Sequence, residues 1–213
     1  MAEQDQETRA RVLNAAARLF AERGFAKVTV RDICKKARAN VAAVNYHFGG
    51  KDGLYRAVVE TAIATMQSTT AAARAAGEGK PPDERIRAYV SVFLQRILGK
   101  GHETWIHQLM LRELSDPTPA LDTVAEEVLR PRTAYLCGVI GELIGCPAND
   151  PRVMRCALSV QSQFNSMLWS QAVARMMHAA DIPPVTLDEI AEHITQFSLG
   201  GVRAMKSGFA TKA

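Results

Sequence analysis

The stretch Val28–Tyr55, VTVRDICKKARANVAAVNYHFGGKDGLY, restricts the possible folds more than any other part of the chain. Thr29 is a good N-cap, and Asp32 supplies the acidic partner of a capping box, so a short helix is expected over Val30 to about Ala37. Asn40 can cap a second short helix, Val41 to about His47. Gly49-Gly50 then breaks the chain, and Lys51 opens a longer helix. Helices this short are stable only when one face packs on something else. Val30, Ile33, Ala37 and Val44 can supply that face, and small Cys34 and Ala37 permit close approach. The preceding segment, about Gln6 to Arg23, carries Val12, Leu13, Ala16, Leu19 and Phe20 at helical spacing, and Gly24 suits the position that ends it. The pattern is that of a helix-turn-helix, whose second helix is shaped to lie in the major groove of DNA.

The remainder reads as helix throughout, without strand signals. The helix opened by Lys51 is expected to continue to Gly77, followed by the loop GEGKPPD. Further helices are expected over about Glu84–Leu98, Glu103–Leu114, Pro119–Ile144, Pro151–His178 and Leu187–Lys206. They are punctuated by Gly99-Lys100-Gly101, Asp116-Pro117, Gly145-Cys146-Pro147 and Pro183-Pro184. Thr186 and Glu189 form a second capping box. The expected fold is all-α with about nine helices: a three-helix head over residues 6–55 and a helical body over 56–213.

Charge placement agrees with a head of this kind. Residues 1–60 hold 11 Lys/Arg against 7 Asp/Glu, whereas residues 61–213 hold 15 of each. The positive excess therefore sits around the helix-turn-helix, where phosphates would be met. A non-specific architectural DNA binder would be basic throughout. The apolar runs fall short of the ~20 residues that span a bilayer. The N-terminal MAEQDQETRARVL is too polar for a signal peptide, and a cytoplasmic protein without membrane partners is expected. Cys34, Cys137, Cys146 and Cys156 form no C-x-x-C pair and read as small buried hydrophobes. No metalloprotease, nucleophile-elbow, P-loop or dinucleotide motif is present, and the five histidines are scattered. No catalytic residue, cofactor or metal is expected.

On the outward face of the second short helix lie Val41, Ala42, Asn45 and Tyr46. The Asn45 amide can pair with an adenine edge, and Val41 or Ala42 can touch a thymine methyl. Thr29, Arg31, Tyr46, His47 and Lys51 are better placed for phosphates, Lys51 also lying at a helix N-terminus. Alternatives stand beside these: Tyr46 as a half-buried core aromatic, His47 as the end of its helix, Asn40 as a cap more than a base reader.

From Ala10 to Tyr55 the chain resembles the N-terminal domain of TetR-family transcriptional regulators. The resemblance rests on LNAAARLFAERGFAKVTVRDI and on VNYHFGGKDGLY, with Phe48, Lys51 and Leu54. It implies an all-helical homodimer that usually represses its target genes and releases DNA when a small molecule binds the body. Two positions depart from the pattern. Arg38 stands where the inter-helix turn usually has Gly, and a non-glycine residue at positive φ costs on the order of 1 kcal/mol. Asn45 stands where the family commonly has Tyr. Asn45-Tyr46 resembles instead the subgroup with a CecR-like C-terminal domain, as does LMLRELSDPTPALDTVAEEVLRP, Leu109 to Pro131.

Reading two half-sites takes two heads one helical turn of DNA apart, ~34–36 Å, which a two-fold dimer supplies. The expected partners are thus double-stranded DNA with a palindromic operator, a second copy of the chain and a small-molecule effector. The interface candidates are Ala157, Val160, Gln161, Phe164, Leu168 and Gln171 on one long helix and Ile190, Ile194, Phe197, Gly201 and Met205 on the last, with a shared core-plus-interface role. For the effector, Trp105, Gln108 and Arg112 share a face at i, i+3 and i+7, and Met66, Phe93 and Tyr135 could complete a wall. Trp105 fits a core role as well, and Arg112 an ion pair with Asp116.

Overall fold

The computed structural model describes residues 2–98, 104–176 and 185–207, with side chains described for all of these except 2, 3, 165–176 and 207. Among the described residues every regular element is helical: α1 Ala2–Arg23, α2 Val30–Ala37, α3 Val41–Phe48, α4 Lys51–Ala76, α5 Pro82–Leu98, α6 Thr104–Ser115, α7 Ala120–Val124, α8 Arg130–Ile144, α9 Pro151–Met176 and α10 Leu187–Ser207. The all-α expectation holds, with one helix more than expected. Between α7 and α8 the chain does not leave the helix but winds through a π turn, Ala125–Leu129. Pro131 gives the reason: it lacks an N–H and its ring crowds the carbonyl four residues back. That carbonyl belongs to Glu127, and the Gln67 Nε2 lies 3.4 Å from it as a substitute donor.

The helix ends follow local chemistry. Gly24 and Gly145 take the left-handed conformation at the ends of α1 and α8, with φ 82° and 73°. At α10, Glu189 N donates to Thr186 Oγ1 (3.2 Å) and Thr186 N donates to Glu189 Oε2 (2.8 Å), the reciprocal pair the sequence predicts.

The helices group into two units, residues 1–67 with 103–128 and residues 68–102 with 129–213. In the first, α2, α3, α6 and the start of α4 gather around α1, with Phe20, Ile33, Val44, Leu54, Val58, Ile106 and Leu109 in its core. The helix-turn-helix thus belongs to a larger unit than 6–55, because α6 packs on α1. In the second, α5, α8, α9 and α10 enclose Tyr89, Phe93, Leu136, Ile140, Phe164 and Ile194.

Candidate nucleic-acid interface

The α2 start is closed by the predicted box. Asp32 N donates to Thr29 Oγ1 (3.2 Å), and the Thr29 N–H (3.0 Å) and hydroxyl (2.6 Å) donate to the Asp32 carboxylate. These hydrogen bonds hold the Asp32 carboxyl below its usual range. The turn to α3 runs through Arg38 at φ 51°, ψ 48°, left-handed as the departure from Gly implied, and its N–H donates to the Cys34 carbonyl. Asn40 Oδ1 then accepts from Ala42 N at 3.1 Å, capping α3.

The two faces of α3 separate cleanly. Val44 is fully buried, whereas Val41, Ala42, Asn45 and Tyr46 are exposed, Tyr46 at 78%. The half-buried reading of Tyr46 is therefore corrected: α3 is short, and its inward face is already filled by Val44 on α1 and α2. Arg31 is exposed on α2. The other expected contacts have internal partners. His47 is nearly covered, its Nε2 3.3 Å from Asp5 Oδ1, which ties the end of α3 to α1. The Lys51 ammonium lies 4.3 Å over the Phe25 ring, and the Arg9 guanidinium 5.1 Å from Phe48. Thr29 and Asn40 are engaged in caps.

The corner between α3 and α4 holds a residue that periodicity did not single out. Gly49, at φ 71°, ends α3 with its N–H on the Asn45 carbonyl (2.9 Å). Inside the first turn of α4, a Cβ on Gly53 would stand 1.8 Å from the Phe48 carbonyl oxygen. Its only sequence signal is a glycine near a helix start, where no turn needs one.

On α6 the inner face is rotated one residue from the expected one. Ile106, Leu109 and Glu113 are buried, while Gln108 and Arg112 are exposed and Trp105 is partly covered by the first unit's core. Arg112 does not pair with Asp116. Its Nε donates to the Ala21 carbonyl (2.9 Å) and a terminal nitrogen to that of Glu22, so a cation closes the last turn of α1. Glu113, 2% exposed, accepts from the Tyr55 hydroxyl, from Thr118 N (3.1 Å) and from Thr118 Oγ1 (2.8 Å). Burial and the neighbouring carboxylate push the Tyr55 hydroxyl well above its usual range. Gln108 and Arg112 line a cleft of about 690 Å³ together with Phe20, Phe25 and Tyr55.

The six expected effector-wall residues are divided between the two units. Met66, Trp105, Gln108 and Arg112 belong to the first unit, Phe93 and Tyr135 to the second. Phe93 and Tyr135 share neighbours there: Tyr89 lies 4.4 Å from Phe93 and 6.3 Å from Tyr135, ring centre to ring centre.

The expected interface stripes divide by depth. Ala157, Val160, Phe164 and Ile194 are buried in the second unit's core, with Ile190 packed against it and Gln161 donating to Thr133 Oγ1 (3.3 Å). For these residues the monomer core already accounts for burial. Phe197 (67%), Met205 (44%) and Gly201 are exposed on α10, as are Leu158 (52%) and Met154 on α9. Phe197, Gly201 and Met205 also border a shallow groove of about 370 Å³ between α9 and α10. Leu168 and Gln171 lie outside the residues whose side chains are described. Also among the described residues, no helix is long and apolar enough to cross a membrane.

Comparison with known proteins supplies the family. Residues 12–58 match the family of bacterial regulatory proteins, tetR family. Residues 82–202 match the C-terminal domain of the HTH-type transcriptional dual regulator CecR. CecR of Shigella flexneri is 27% identical over 157 residues, 70% of each chain. The HTH-type transcriptional regulator TtgR of Pseudomonas putida is 31% identical over 96 residues, so the match spans less than half of either protein (45% and 46%). A solved TetR-like transcriptional regulator from Rhodococcus sp. RHA1 shares the fold with a TM-score of 0.66 at 17% identity, over 92% of this chain and 96% of that one. With the helix-turn-helix matched at one end and more than half of the chain matched by the other domain, this protein belongs to the TetR family of DNA-binding transcriptional regulators, in the group with a CecR-type C-terminal domain.

Proposed function

We propose that the protein is a homodimeric repressor that binds a palindromic operator and leaves it when a small-molecule effector binds the body. The observation that carries this reading is the outward face of α3, where Val41, Ala42, Asn45 and Tyr46 stand exposed above a fully buried Val44. In this reading Asn45 reads an adenine edge, Val41 and Ala42 meet thymine methyls, and Tyr46 and Arg31 hold phosphates. Thr29, Asn40, His47 and Lys51 act mainly by fixing the two helices, and their backbone and free donors approach the phosphates secondarily. The exposed stripe of Phe197, Gly201 and Met205 pairs with its copy across a two-fold axis. An effector favours release only to the extent that it binds the non-operator conformer more tightly, with a typical coupling of about 1–3 kcal/mol.

Substitution of the reader tests the assignment. Asn45→Ala relaxes base preference at one position per half-site, at about 1–3 kcal/mol there, while a phosphate-contact variant weakens all sequences alike. Anisotropy titrations of operator variants at one fixed salt concentration distinguish the two. Uniform weakening by Asn45→Ala would remove it as the reader. A second reading, activation at some promoters, is favoured by the description of CecR as a dual regulator.

A further inference from the structure

Three of the four buried side-chain polar atoms that lack a hydrogen-bond partner among the described residues lie in one cluster of the second unit: the Tyr89 hydroxyl, the Tyr135 hydroxyl and Nε of Arg132. The cluster is otherwise aromatic. The Arg132 guanidinium lies 4.8 Å from the Phe93 ring, and Phe93 stacks on Phe164 at 5.7 Å. Tyr89 is fully buried. Its hydroxyl has no bond of acceptable geometry, although Gln161 is near enough to influence it. Arg132 has no carboxylate partner among the described residues, and burial works against its positive charge. The other arginines here are engaged: Arg85 pairs with Glu142 at 2.6 Å, and Arg74 donates to the Pro131 carbonyl at 3.2 Å, both over the Tyr135 ring.

Arg132 is half-buried, and its Nε is shielded from water without a partner, so the guanidinium keeps a donor that an anion from outside the chain can take. Unpaired tyrosine hydroxyls beside it are the donors such an anion would use, and planar carboxylates match the guanidinium fork. We propose that the body binds an organic acid: its carboxylate against Arg132 and the Tyr89 and Tyr135 hydroxyls, its apolar or aromatic portion against Phe93 and Phe164. This deepens the effector reading given above and rests on it. Arg132, Tyr89 and Phe164 are absent from the pocket that the sequence suggested.

The test uses the whole 213-residue protein and three acids, benzoate, cinnamate and decanoate, each against its neutral primary amide, by titration calorimetry. At least one acid binds tenfold or more tightly than its amide. Arg132→Met abolishes that preference, because the cation that the carboxylate meets is gone. Tyr89→Phe leaves the ligand-free melting temperature unchanged and weakens the acid several-fold, a readout that stands if Arg132→Met does not fold. Acids binding no better than amides, or an unchanged preference in Tyr89→Phe and a folded Arg132→Met, would overturn the assignment. Operator release is measured separately on the same samples. An acid that binds without releasing DNA supports the site and refutes the effector reading.

Discussion

Arg38 is held in the left-handed region, at φ 51° and ψ 48°, by the capped helices on either side of it. Replacing it with glycine removes the Cβ conflict at some entropic cost to the folded state, and Arg38→Gly is expected to stabilise the protein by about 1 kcal/mol, raising Tm by roughly 2–4 °C. A lower Tm in thermal unfolding would mean that the arginine side chain itself stabilises the turn. Asp150 offers a test by pH. Its carboxylate accepts from Arg152 N (2.8 Å) and from the Arg152 guanidinium (2.5 Å) at the start of α9, which lowers its pKa to about 2. Because the folded pKa is depressed, its contribution is complete above the ordinary carboxylate range, about pH 4, and is lost as pH falls towards 2. Asp150→Asn keeps a good cap without the charge, so the Tm difference between the two proteins should shrink over that interval. Residue roles were legible where their cause is local: Thr29, Asn40 and Arg38 act within a turn of themselves. Glu113 was not, because a carboxylate on an apolar stripe makes sense only once Tyr55, 58 residues away, donates to it.

Elements were the most readable level. Caps, glycines and helical spacing placed α1 to α5 and α10 within a few residues, since each signal acts over one or two turns. The π turn at Ala125–Leu129 was missed although its cause, Pro131, stood in the sequence; a proline near a helix start and one inside a longer helix look alike until the preceding turn is known. The rotated face of α6 was missed for a related reason. Trp105, Gln108 and Arg112 do share a face, but the partner helix α1 decides which face is buried. The α3–α4 corner gives a sharp prediction. A Cβ at Gly53 would meet the Phe48 carbonyl at 1.8 Å, so Gly53→Ala must displace α3 from α4. The expected cost is about 2–3 kcal/mol, read as a lower denaturation midpoint, together with weaker DNA binding if α3 carries the reading face as proposed. An unchanged midpoint would show that the corner can move freely.

At the scale of the whole molecule, the proposed operator recognition needs two heads held at groove spacing. Sequence periodicity marked the helices now carrying the exposed stripe but did not separate core from surface, because burial depth depends on how α9 and α10 pack on α5 and α8. The structure separates them: Val160, Phe164 and Ile194 are inside, and Phe197, Gly201 and Met205 are outside. Phe197→Asp should leave the fold intact and give monomers by sedimentation, with operator affinity reduced at least tenfold through the lost second head. A dimeric Phe197→Asp protein would move the interface elsewhere. The most direct test of the central claim is selection of binding sites from random duplex DNA at a fixed, stated salt concentration. The expected result is an enriched palindrome with half-sites about one helical turn apart, ~34–36 Å. No enrichment over random duplex would contradict specific DNA reading by α3.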